Sequence, residues 1–154
     1  MKYITKELPE RYFIGLVGKF TPSKDVNMIP QLWNKLMNED FELLKDVEKE
    51  SKFIGLEAYP HDFMETHEFY YHALVQTKEK VEVEGFETIV LQKGTYIFFE
   101  ISFDTIKEDI PAIYSFIKEN NININYAFDY EDYLEDQDYS KKGQKLNFAF
   151  LLSE

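Results

Sequence analysis

Ile29-Pro-Gln-Leu-Trp-Asn-Lys-Leu36 finds its counterpart 81 positions further on, as Ile110-Pro-Ala-Ile-Tyr-Ser-Phe-Ile117. In the first segment Ile29, Leu32, Trp33, Leu36 and Met37 fall at i, i+3, i+4, i+7 and i+8, one face of a helix. In the second, Ile110, Ile113, Tyr114 and Ile117 form the same stripe. Pro30 and Pro111 suit a first helical turn, where a missing N–H removes no bond. A strand ending in phenylalanine precedes each helix: Arg11–Phe20, marked by Gly15 and Gly18, and 95–103, which ends at Phe103. Two further strands follow each helix, at 53–59 and 69–77 in the first half and at 124–133 and 146–152 in the second. The order β-α-β-β therefore occurs twice, over about 8–77 and 88–152, within one domain spanning 1–154. Two such units pair across a pseudo-two-fold axis, and the groove between them is the favoured place for a ligand. The rest reads as connection. Residues 2–8 are a lead-in, 38–52 continue helically or as a second short helix, 61–68 and 136–143 are polar loops, and 78–87 are a charged connector.

Composition narrows the function. The 154 residues suit one ordinary domain with its own core, without staples. Rings are plentiful, with 14 Phe, 11 Tyr and one Trp, and large rings both fill cores and line ligand clefts. Acidic residues number 29 against 17 basic, for a net charge of −12. That balance argues against direct nucleic-acid binding and against anionic membranes, both of which need clustered Lys and Arg. A negative field attracts cations instead, although much of such a charge serves solubility. Cysteine is absent, which excludes disulfide and thiolate chemistry. No signal peptide or spanning segment is visible, so a cytoplasmic location is expected. His61, His67 and His72 are spaced for neither a helical nor a strand metal pair, and the six glycines form no phosphate loop. No metal or cofactor is expected.

Gly15-Leu-Val-Gly18, Ile29–Trp33, Ile54-Gly-Leu-Glu-Ala-Tyr59, Phe69-Tyr-Tyr-His-Ala73, Lys93-Gly-Thr-Tyr-Ile-Phe-Phe99 and Phe128-Asp-Tyr-Glu-Asp-Tyr133 together resemble the GyrI-like small-molecule-binding family, also described as the AraC-type effector-binding domain. Each motif is weak alone; their order and spacing carry the likeness over nearly the whole chain. The resemblance implies an α+β fold of duplicated β-α-β-β units, with a concave antiparallel sheet, helices packed on it and a central groove. It implies a lipophilic, often cationic, small molecule as ligand. Many relatives carry an added DNA-binding domain; a chain of 154 residues has no room for one, so a stand-alone member is expected. The family's acidic floor, a Glu followed two residues later by Tyr, falls on Glu131 and Tyr133.

Strand alternation puts Tyr126, Phe128 and Tyr130 on one face and Ala127, Asp129, Glu131 and Tyr133 on the other. The first set suits packing beneath the helices, the second a polar-floored groove. Asp129, Glu131, Asp132, Glu135, Asp136 and Asp138 also read as one solvated acidic edge. The resemblance favours the groove for Glu131 alone. A carboxylate among rings is costly when empty, and a bound cation offsets that cost through charge and cation–π attraction. Trp33 reads as core by its stripe and as groove wall by the resemblance. Tyr59, Tyr71, Tyr96 and Phe148 are candidate wall residues, and Glu57, on the face of Tyr59, is a second carboxylate.

Three functions compete. The first is binding of lipophilic, cationic aromatic molecules, in a sequestering or regulatory role. The second is a hydrolase of reactive toxic molecules, with Glu131 as general base on a water. The third is a protein-interaction role, as an acidic inhibitor of a DNA-handling enzyme, with a protein partner.

Overall fold

The computed structural model describes residues 1–22 and 25–153. The described chain runs β1 (Tyr3–Leu8), β2 (Arg11–Phe20), α1 (Ile29–Asn34), β3 (Lys49–Ala58), α2 (Phe63–Thr66), β4 (Phe69–Thr77), β5 (Glu87–Leu91), β6 (Gly94–Ser102), α3 (Ile106–Glu119), β7 (Phe128–Tyr133) and β8 (Lys145–Leu151). All eight strands form one antiparallel sheet in the order β1-β6-β8-β7-β3-β4-β2-β5. Each β-α-β-β unit pairs its first strand with its third and its third with its second: β2-β4-β3 in one half, β6-β8-β7 in the other. The halves meet where β3 lies against β7, with Leu56 opposite Tyr130.

Several elements differ from the sequence reading. The lead-in 2–8 contains β1, which pairs with β6, and residues before Lys93 contain β5, which pairs with β2. Both are edge strands, and β1 is almost wholly exposed, so neither shows the apolar alternation of a half-buried strand. Residues 38–52 are not one helix. A π-helical turn over Lys35–Asp40 and a 3₁₀ turn over Phe41–Leu44 end the helical stretch, and β3 begins at Lys49. The loop 61–68 holds α2, whose Phe63 ring packs 5.0 Å from that of Tyr59. Pro111 lies inside α3 rather than in its first turn. The strand expected over 124–133 is confined to 128–133; Ile124 makes a lone bridge to Leu152, and Tyr126 is 63% exposed.

The sheet curls. The Arg11 guanidinium on β2 stands 4.9 Å from the Tyr96 ring on β6 and 5.5 Å from the Tyr130 ring. Five strand spacings separate β2 from β6, roughly 24 Å in a flat sheet. Inside the curl pack Phe13, Leu56, Leu74, Tyr96, Phe98 and Tyr130, with Phe128 against them and no helical residue among them. The helices cover the other face, in two clusters. One joins α1 and the turns after it to Phe20, Phe69, Tyr71 and Val75. The other joins α3 to Ile97, Phe99, Phe148 and Phe150. Phe128 and Tyr130 therefore lie away from the helices, opposite to expectation, and the face of Glu131 is the helix-covered one.

Candidate functional site

Between the two helical clusters, over the β3–β7 seam, lies a cavity of about 1090 Å³. One side is formed by Ile29, Trp33 and Met37 and the other by Ile106, Lys107 and Ile110. The loop after β7 closes an end with Leu134, Gln137 and Tyr139. Tyr139 is fixed in place: its hydroxyl donates to the Lys145 carbonyl at 2.6 Å, and its ring lies 5.0 Å from Tyr133 and 5.1 Å from Phe103. The floor carries Phe53, Glu57, Phe69, Tyr71, Glu131 and Tyr133.

At the centre of the floor Glu131 is 9% exposed. Its Oε1 accepts from the Tyr71 hydroxyl at 2.6 Å and the Tyr133 hydroxyl at 2.7 Å. Trp33 Nε1–H donates to the Tyr71 oxygen at 2.8 Å, which aligns that hydroxyl toward the acid. The Trp33 ring stands edge-on to Tyr133 at 5.6 Å. Among the described residues no donor reaches Glu131 Oε2 on the cavity side. This packing needs Gly55, which pairs with Glu131 across the seam. A Cβ at Gly55 would lie 2.0 Å from the Tyr71 hydroxyl and 2.4 Å from Glu131 Oε1.

A second acidic group lies next to the first. Glu57 stands in register with Asp129 across the same pair of strands. The Tyr59 hydroxyl is 3.0 Å from both Glu57 Oε2 and Asp129 Oδ2, and the Tyr114 hydroxyl also donates to Asp129 Oδ2. Asp129 is fully buried, and among the described residues its Oδ1 has no partner.

Of the expected site residues, Trp33, Glu57, Tyr71, Glu131 and Tyr133 line the cavity. Tyr59 lies behind it, bound to Glu57. Tyr96 and Phe148 do not reach it. Tyr96 points into the curl and donates to the Gln92 carbonyl, and Phe148 is buried beside Phe150 under α3. Asp129 and Tyr114 were not singled out. Alternation did place Asp129 on the face of Glu131, and Tyr114 on the helical stripe is the counterpart of Trp33, so both signals were present. Asp132 is no part of a solvated edge; it pairs with Lys52 at 2.8 Å.

Burial raises all three acids. Glu131 is pushed up by desolvation, against its two tyrosine donors. Glu57 is held well above the usual carboxylate range by desolvation, then by the charges of Asp129 and Glu131. Asp129 is pushed up to about 7 by desolvation, against donation from Tyr114 and Tyr59. The native protein thus keeps protons that the unfolded chain loses near pH 4, and stability falls as pH rises from about 4 toward 7 and just above. For Asp129 alone the loss is at most roughly 4 kcal/mol. His72 opposes this at lower pH. Buried with Nδ1 unpartnered, it is lowered to about 4, so its contribution grows as pH rises from 4 to 6.5 and is then constant. Between pH 6.5 and 8 the carboxylates act alone. The melting temperature of ligand-free protein should fall across that window. Asp129→Asn, which keeps an acceptor for both tyrosines, should flatten the slope; a flat or rising wild-type profile would refute the assignment.

Comparison with known proteins places this geometry. The family model described as the GyrI-like small molecule binding domain matches residues 1–144. No curated protein sequence matches the chain. Among solved structures, SAV2435 bound to tetraphenylphosphonium is similar at a TM-score of 0.77 and 15% identity, covering 99% of this chain and 93% of that one. A protein of Staphylococcus aureus MU50, described as a putative bacterial transcription regulation protein, gives 0.76 and 15%, with 100% and 99% covered. The C-terminal domain of EcmrR gives 0.68 and 11%, with 99% and 98% covered. At these identities the likeness is one of fold.

Proposed function

The chain belongs to the GyrI-like small-molecule-binding family, and from that premise we propose that it binds lipophilic cations, with Glu131 as the charge that holds them and the rings around it as their contact surface. The observation that carries this reading is the state of Glu131. One oxygen is held by two tyrosines, while the other faces a cavity walled by rings and has no donor among the described residues. A desolvated acid in that position is unfavourable when empty. A cation whose charge lies under a greasy exterior offsets this twice, by Coulomb attraction at low dielectric and by cation–π contact with Trp33, Tyr133 and Tyr139. Anions and neutral molecules gain neither. The structural neighbour that holds tetraphenylphosphonium supports the same class of ligand. In the cell such a site sequesters toxic cations or reports their presence to a partner.

Tetraphenylphosphonium and tetraphenylborate have nearly the same shape and opposite charge, so a calorimetric titration of both isolates the charge. The cation should bind at least about tenfold tighter, a difference of about 1.4 kcal/mol. Equal affinities would defeat the reading.

A further inference from the structure

Taking the cavity as a cation site, as proposed above, we infer that Glu57 is a second cation-holding centre opposite Glu131, and that the cavity is built for flat dications whose two positive nitrogens lie about 7 Å apart.

The two acids occupy related places. They lie on the central strands, diagonally across the Leu56–Tyr130 pair, with Glu57 facing Asp129 and Glu131 facing Gly55. Diagonal neighbours on one face of an antiparallel pair are about 7–8 Å apart. Each acid opens the same short motif, Glu57-Ala-Tyr59 and Glu131-Asp-Tyr133. In each the hydroxyl of the tyrosine two residues on lies within hydrogen-bond distance of one carboxylate oxygen, 3.0 Å for Glu57 and 2.7 Å for Glu131. Each acid lines the cavity and has a second oxygen that no described protein donor reaches.

A separate observation marks the Glu57 end as unfinished. Asp129, fully buried on the same face just behind the lining and tied to Glu57 through the Tyr59 hydroxyl, has among the described residues no partner for its Oδ1. Buried carboxylate oxygens are almost always satisfied. Bridged by one tyrosine hydroxyl and directly opposite across the strands, the two acids disfavour each other's ionisation, so the pair takes up one negative charge before a second. That single charge matches one cationic nitrogen. The floor then presents two negative centres, one at Glu131 and one at Glu57–Asp129. A monocation seated on Glu131 leaves the second centre uncompensated, whereas a dication neutralises both. Lys107 is the lone basic residue of the described lining, and Glu135 and Asp138 add negative charge near the loop. The volume, about 1090 Å³, accommodates an elongated aromatic frame between Trp33 and Tyr139.

Methyl viologen carries two pyridinium nitrogens about 7 Å apart, close to the backbone spacing of the two diagonal strand positions. N-methyl-4-phenylpyridinium has the same frame with one charge. Wild-type protein should bind the dication about tenfold or more tighter than the monocation in calorimetry at low salt. Glu57→Gln should bring the ratio to within about twofold. A wild-type ratio near one, in a protein that does bind tetraphenylphosphonium, overturns the second centre and leaves the Glu131 reading standing. A Glu57→Gln protein that keeps the full ratio overturns it as well. Failure to bind any cation overturns both together. Should Glu57→Gln not fold, the wild-type ratio decides alone.

Discussion

Gly55→Ala should abolish tetraphenylphosphonium binding and destabilise the protein by roughly 2–4 kcal/mol, a lowering of the melting temperature of about 5–15 °C for a chain of this size. The added methyl would sit 2.0 Å from the Tyr71 hydroxyl and 2.4 Å from Glu131 Oε1. Both groups can shift only toward the cavity, away from the contacts that hold them. Tyr71 is buried, packs edge-on to Phe20 at 6.5 Å, and takes the Trp33 N–H on its oxygen. Glu131 is anchored on β7 between β3 and β8. Relief comes only by parting the two, which breaks the 2.6 Å bond between them and leaves a buried acid with one donor instead of two. The substitution therefore strikes fold and site through one contact. Denaturant unfolding and calorimetry check both parts. In a Tyr71→Phe background the nearest obstruction is gone, so Gly55→Ala should cost clearly less than in wild type, a non-additivity expected of groups in contact. Additive effects, or an alanine variant that binds and unfolds like wild type, would show that the close packing has been misjudged.

The same residues show what could be read in advance. Alternation over 128–133 grouped Asp129, Glu131 and Tyr133 on one face, and these three do share the helix-covered side of the sheet. Alternation states which residues share a face; it does not state which layer covers that face. Here both faces are apolar: Tyr130 and Tyr96 fill the curl while Phe148 and Phe150 lie under α3. With rings on both sides, the assignment of Phe128 and Tyr130 to the helices had no local signal to correct it. Tyr96 was misplaced for the same reason, whereas Phe148 does lie on the face of Glu131 but is covered by α3 rather than by the cavity. Asp129 read as part of a solvated acidic run because its burial depends on Glu57, Tyr59 and Tyr114. Those contacts come from strand pairing and helix packing, which no window of sequence displays. The edge strands β1 and β5 were missed because an exposed edge needs no apolar face. The helical stripes from Ile29 and Ile110, by contrast, were plain, since each buries a face against the sheet.

Glu131→Gln should separate binding from stability, lowering affinity for tetraphenylphosphonium by about 30- to 100-fold while raising the melting temperature at pH 8. Glutamine keeps an oxygen for the Tyr71 and Tyr133 hydroxyls, so the floor retains its shape. What is lost is the negative charge, and with it the Coulomb attraction for a cation in a poorly hydrated cavity. What is gained is relief from desolvation, the main cause that pushes this acid upward. The gain should be about 1–2 kcal/mol, visible as a rise of a few degrees. Its pH dependence is the sharper check. As pH falls and wild-type Glu131 takes up its proton, the charged form and its penalty disappear, so the two proteins should converge in stability as pH falls to about 4, where the unfolded carboxylate is protonated too, and diverge toward pH 8. A purely structural role for Glu131 predicts the reverse, a variant less stable at every pH. A variant that is more stable at pH 8, equal near pH 4 and poor at holding the cation would identify Glu131 as a group kept for its ligand at a standing cost to the fold.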